Sequence, residues 1–327
     1  MAFHYLTFLD SGAPTLTGQN GSLTNSGNTG VLDWALVTKA GWTKSFTATN
    51  SSVFTPVTGN TVLYVAHDSA ISGAAQKATV RAGESATAVG SANLTNPFPT
   101  VALNSDALSS WTVSNTADST ARPYYILITD SFIYIWLGYL YTTSNYNTTT
   151  TSSNAHIYGQ FSKAFSSDSY NTVLSVNAAS GVSAGSAFTN AVGSSPVGNT
   201  RLWADRTLDG SVFSPCVTLI TPGGGAVGNP NTVPYPNALD SKLHLAKIAI
   251  GDGGVQSGTL SATKTIHCRG WLPNIWVPLE RVGTILNSKT FVDSSYNAAA
   301  LFQAFVNTNN TEFEVLETTN TWSAPSV

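Results

Sequence analysis

Residues 124–137 read YYILITDSFIYIWL, two six-residue runs dense in β-branched and aromatic side chains with only Asp130 and Ser131 between them. That spacing predicts two antiparallel strands closed by a two-residue turn. The apolar stretch continues to residue 141, but Thr129, Asp130, Ser131 and Gly138 interrupt it, so it is too broken for a membrane-spanning helix.

Weaker copies of the same signature run through the chain. Trp42, Lys44, Phe46 and Ala48 alternate, residues 53–57 and 62–66 flank a turn at Gly59 and Asn60, and residues 77–90 keep a period of two around Gly83. Further strands are predicted at 111–113, 156–165, 201–203, 212–220, 243–250, 263–268, 290–292 and 311–316. Residues 31–37, with Asp33 placed to cap, read as a short helix, and so do residues 299–306. Residues 173–176 fit either a helix or a strand. Two prolines stiffen the loop at 96–99, and the segments 142–155 and 222–236 are long polar or Gly/Pro-rich loops. The fold class that follows is mainly β: an antiparallel β-sandwich or barrel-like sheets with long loops and few short helices.

Glycines and Pro14 break any period over residues 1–30, so an extended N-terminal arm able to reach a neighbour is expected there. Residues 31–327 form the β-rich body, with a division into two subdomains expected near 142–155.

Only 9% of the 327 residues are charged, against roughly 25% in an average soluble domain, and Ser, Thr, Asn and Gly take their places. With 42% hydrophobic residues there is enough to fill a core, which separates the chain from disordered polar sequences. A net charge of -3 gives no footprint for direct nucleic-acid binding. Low charge density also lowers the desolvation cost of laying one surface on another, which suits permanent contacts between subunits. No charged start followed by an apolar run marks Met1, so no export signal is expected.

Residues able to carry chemistry are sparse. Asp205 with Asp209, or Glu312 with Glu314, are the carboxylate pairs to consider for an acid and base, and solvated charges at turns or strand ends are the simpler reading. His4, His67, His156, His244 and His267 stand singly, outside any metal-binding run. Cys216 and Cys268 leave one bridge open and lack zinc spacing, while Gly223, Gly224 and Gly225 lack the Lys and Ser/Thr of a phosphate loop. No catalytic residue, cofactor or metal is therefore assigned. Trp271, Trp276, Trp203 and Tyr235 are the candidates for interface anchoring or recognition, with core packing the competing role.

The order of several segments is informative. LDSGAPTLTGQNGSL, VLDWALV and GWTKSFTATNSSVF open the chain; FPT at 98–100, TARPYYILITDSFIYIW at 120–136, DSYNT at 168–172, PYPNALD at 234–240 and RGWLPNIWVPL at 269–279 follow. In this order they resemble a family of tailed-bacteriophage virion structural proteins. Residues 67–97 carry less charge than that family's pattern, and the polar segment 142–155 is expanded. The resemblance implies a non-enzymatic virion component, assembled in the bacterial host cytoplasm with copies of itself and other virion proteins in the tail, baseplate or neck. A capsid decoration protein and a tail fibre or spike protein recognising a host-surface glycan are the alternatives.

Overall fold

The computed structural model describes residues 3–67, 76–102, 105–106, 109–114, 117–137, 154–177, 200–211, 216–220, 240, 243–251, 268–278, 290–292, 299–306 and 313–319. The fold is mainly β, and among the described residues every strand pairing is antiparallel. In chain order the strands are β1 (Phe3–Thr7), β2 (Thr43–Ala48), β3 (Ser51–Thr55), β4 (Val62–Ala66), β5 (Gln76–Gly83), β6 (Ser85–Ala86), β7 (Leu94–Thr95), β8 (Ser110–Ser114), β9 (Tyr124–Thr129) and β10 (Phe132–Leu137). They continue as β11 (Asn154–Gln160), β12 (Ser162–Lys163), β13 (Thr172–Asn177), β14 (Thr200–Ala204), β15 (Cys216–Ile220), β16 (Leu245–Gly251), β17 (Cys268–Pro278), β18 (Thr290–Val292), β19 (Leu301–Val306) and β20 (Phe313–Glu317).

The ladders trace three layers. The first has the order β2-β3-β4-β5-β8, and the middle has β1-β9-β10-β11-β13-β14. The third has β15-β16-β17-β20-β19-β18. β15 hands the backbone ladder from β14 to β16, and β13 touches β8 at Asn177 and Ser110. Followed strand by strand, these pairings never return to their start, so the sheets form an open stack and not a closed barrel.

Strict alternation along the central hairpin builds that stack. Ile126, Ile128, Ile133 and Ile135 face one core with Phe54, Leu63, Val65 and Val80 of the first layer. Leu127, Phe132, Tyr134 and Trp136 face a second core with Ile248, Ile250, Leu272 and Ile275 of the third. Both faces of β9 and β10 are dry, which accounts for an unbroken apolar sequence where a one-sided strand would alternate with polar residues. Burying each of these side chains contributes about 1.5–3 kcal/mol, which is why the hairpin organises its surroundings.

The structure corrects three expectations. Residues 3–30 are not a projecting arm: β1 pairs along β9, and Leu16 and Leu23 are fully buried. The polar turns between those anchors are satisfied internally. The Asp33 carboxylate accepts from Thr24 Oγ1 at 2.8 Å and from the amides of Asn25 and Gly30 at 3.0 and 3.1 Å, and Lys44 Nζ pairs with it at 3.0 Å. Asp33 thus begins the π-helix Asp33–Lys39 while its side chain holds the preceding loop. The segment at 142–155 divides no subdomains, since β10 and β11 on either side of it are hydrogen-bonded neighbours. Residues 301–306 form a strand and not a helix, because β18 and β20 offer ladders on both sides. Beyond these, β17 runs as a strand over Cys268–Pro278, where the sequence pattern predicts none past Cys268.

Residues 272–275 of β17 bulge past Ile248, which carries the strand's free edge from β12 at Gly270 and Trp271 to β20 at Ile275 and Trp276. Asn274 takes φ 58°, and Tyr134 Oη donates to the Pro273 carbonyl at 2.7 Å, fixing the bulge to the middle layer. Gly270 is required at the crossing, for a Cβ there would lie 2.0 Å from the Ser162 carbonyl oxygen.

Candidate functional site

At one edge of the stack the layers are joined by charge. Arg269 of β17 and Asp168, in the turn after β12, are both fully buried: Nε donates to Oδ2 at 3.0 Å and an Nη to Oδ1 at 2.9 Å. The guanidinium also donates to the carbonyls of Tyr170 at 2.6 Å and Arg206 at 2.8 Å. Arg206 in turn pairs with Glu84, which follows β5 in the first layer, and lies over the Tyr170 ring at 4.9 Å. Residues from all three layers therefore meet in one polar cluster, and its bidentate geometry fixes their relative positions.

Asp205, just beyond β14, is the unbalanced member. Its Oδ1 accepts from the Arg206 amide at 2.9 Å, and its Oδ2 is buried without a hydrogen-bond donor. Burial pushes this carboxyl up to about 7, opposed by the Arg206 amide and the Arg269 guanidinium and reinforced by the Asp168 charge. Asp209 behaves oppositely. It is exposed, and donation from the Thr207 hydroxyl and the Ser211 amide holds it well below the usual carboxylate range. The two carboxylates thus serve different structures, one the interlayer cluster and the other its own turn. Glu312 lies outside the described residues; Glu314 stands opposite Phe305 in the ladder of β20 with β19.

The aromatic candidates separate in the same way. Trp203 is buried in the core between the first and middle layers, and Trp276 packs edge-on against Phe302 with Lys247 Nζ 5.0 Å from its ring. Neither offers a free face for stacking. Trp271 is half-buried on β17, opposite Ser162 and Ala249, and Tyr235 lies outside the described residues.

His156 is buried flat against Trp111, 5.2 Å between centroids, and burial lowers it to about 3. His67 accepts from the Leu23 amide at 3.3 Å, and burial lowers it to about 4. His244 pairs with Asp240 at 3.1 Å, and His267 and the glycine run at 223–225 lie outside the described residues. Cys268 carries a free thiol, and the side chain of Cys216 lies outside what is described. Among the described residues no group of three His, Cys, Asp or Glu side chains is placed to hold a metal.

A groove of about 360 Å³ opens on the outer face of the first layer. Its floor is Phe46, Val53 and Val62, and Ser45, Thr55, Asn60 and Glu84 stand around it. A β-bulge in β2 sets its shape: Lys44 faces Phe54 and Phe46 faces Val53, leaving Ser45 as the extra residue. Ser45 and Phe46 consequently line the same cavity, and the hydroxyls of Ser45 and Thr55 meet at 2.6 Å. On the opposite wall, Glu84 Oε2 accepts from Asn96 Nδ2 at 2.7 Å while Oε1 takes Arg206.

Sequence reasoning named Asp205 as a candidate acid or base but assembled neither the cluster nor the groove. The signal for the cluster was nonetheless present, because Asp168 opens the DSYNT segment and Arg269 opens RGWLPNIWVPL. No protein-family model matches the chain, and no match was found among curated proteins.

Proposed function

We propose that this chain is a structural component of a tailed-phage virion, assembling as a homo-oligomer in the tail, baseplate or neck, with no enzymatic role. The observation that carries this reading is where the segments resembling that family fall. Residues 124–136 supply the hairpin buried on both faces, and Asp168 and Arg269 form the buried pair between layers. These parts of the resemblance fall on framework residues, as expected for a protein selected for its shape. A sparse complement of charge further favours broad contacts between neighbouring copies, for little hydration is lost when they meet.

Peptide mass spectrometry of purified particles, together with a density map of the intact virion, tests the proposal. The chain should be recovered in stoichiometric amount and should occupy a symmetric ring or shell. Particles of normal form that lack it would overturn the reading. Density on the capsid exterior would replace the tail, baseplate or neck assignment by that of a decoration protein.

A further inference from the structure

We propose that the groove between β2 and the connection from β5 to β6 is a binding site for one neutral pyranose unit of a glycan. The inference goes beyond the virion reading and does not depend on it.

The lining determines the ligand class by charge first. Among the described residues no Lys or Arg lines the groove, so phosphate, sulfate and uronate groups meet no cation of their own there. Glu84, the one carboxylate among the described lining residues, is already paired with Arg206, which removes the attraction for a cationic ligand. A neutral ligand remains. The apolar floor is too small for an extended hydrophobic molecule: Val53 and Val62 are buried, leaving the half-buried Phe46 ring as the main accessible apolar surface. One aromatic face surrounded by hydroxyl, amide and carboxylate groups matches a sugar ring, which has an apolar C–H face and a polar circumference. A volume of about 360 Å³ lies at the small end of ligand sites, suited to one or two rings and not to a long chain.

Preorganisation points the same way. A carboxylate has about four acceptor positions. Two N–H groups of Arg206 occupy Oε1 and Asn96 occupies one position on Oε2, so Glu84 is held rigidly with acceptor capacity left on Oε2. Across the groove, Ser45 and Thr55 share one hydroxyl contact and keep further donor and acceptor capacity. A sugar hydroxyl pair can therefore bind between walls that need not reorganise.

Saturation-transfer NMR on the full chain tests this, with methyl glucoside, methyl galactoside and methyl N-acetylglucosaminide as probes and methyl glucuronide as the anionic control. At least one neutral probe should receive transfer at its ring C–H protons, and the amide resonances of Phe46, Asn60 and Ser85 should shift on titration. Ser45 is exposed, so Ser45→Trp fills the groove without entering a core and should abolish transfer. Thr47→Trp, exposed on the same strand but opposite Ser52 and so on the other face of the sheet, should retain it. Glu84→Gln should weaken binding by about tenfold. Absence of transfer to every neutral probe, equal transfer in Ser45→Trp, or preferential binding of the glucuronide would each overturn the proposal. Recovery of the chain in particles is a separate result, and neither outcome decides the other.

Discussion

The centre and the edge of the middle layer hold their neighbours by different physics. At the centre, Trp136, Tyr134 and Leu127 meet the third layer through apolar area, whereas at the edge Arg269, Asp168, Asp205, Arg206 and Glu84 meet through charge. Apolar burial is non-directional and tolerates small slips. Bidentate ion pairing fixes a register but makes the joint depend on every member being present and correctly protonated. The comparison teaches that cohesion and alignment are assigned to separate parts of this molecule.

The sharpest test compares one residue from each region. Trp136→Ala and Asp168→Ala should each cost about 3–5 kcal/mol in chemical denaturation, the first through a cavity and the second by leaving Arg269 charged and unpaired. They should differ on repair. Replacing both partners, Asp168→Leu with Arg269→Met, should recover most of the loss, which would establish the pair as an alignment device and not a net source of stability. Failure of the double variant to recover would break the distinction.

Proton linkage offers the next test. The folded carboxyl of Asp205 sits at about 7, above its ordinary 3.8, so the folded state keeps this proton where the unfolded state has lost it. Its stabilising contribution is complete below about pH 3.8 and declines as pH rises towards 7, by about 1.4 kcal/mol per unit at the steepest. Asp205→Asn should flatten that part of the stability profile, while Trp136→Ala should leave its slope unchanged. An equal slope in Asp205→Asn would remove pH sensitivity from the edge.

Smaller effects refine the picture. Tyr134→Phe loses the hydroxyl that donates to Pro273 and should cost about 1 kcal/mol by thermal or chemical denaturation, showing that the centre contains one directional contact. Leu9→Ser, at a side chain 77% exposed, should change stability by no more than about 0.5 kcal/mol.

Local pattern made some of this architecture legible in advance. The turn at Asp130 and Ser131, the hairpin it joins and the strands either side of Gly59 and Asn60 follow from neighbouring residues alone, and the ladders agree. Elements decided at long range were harder to read. β17 holds Gly270 and Pro273, which ordinarily weaken a strand; Ser162 at the crossing and Tyr134 at the bulge supply the missing reasons. The leading segment looked unstructured because its glycines hide the spacing of Leu6, Leu16 and Leu23, and no local rule says that Asp33 will gather the turns between them. Arg269 and Asp168 are 101 residues apart, and the groove depends on a bulge that neither β2 nor β3 announces.

Two separate interiors share the backbone of β9 and β10, one written in the even positions of β9 and the other in the odd. Adding a single residue within β10 would reverse its remaining side chains, sending what belongs to each interior into the other. Change by substitution is open to this hairpin on either side independently, whereas change in length is closed to it.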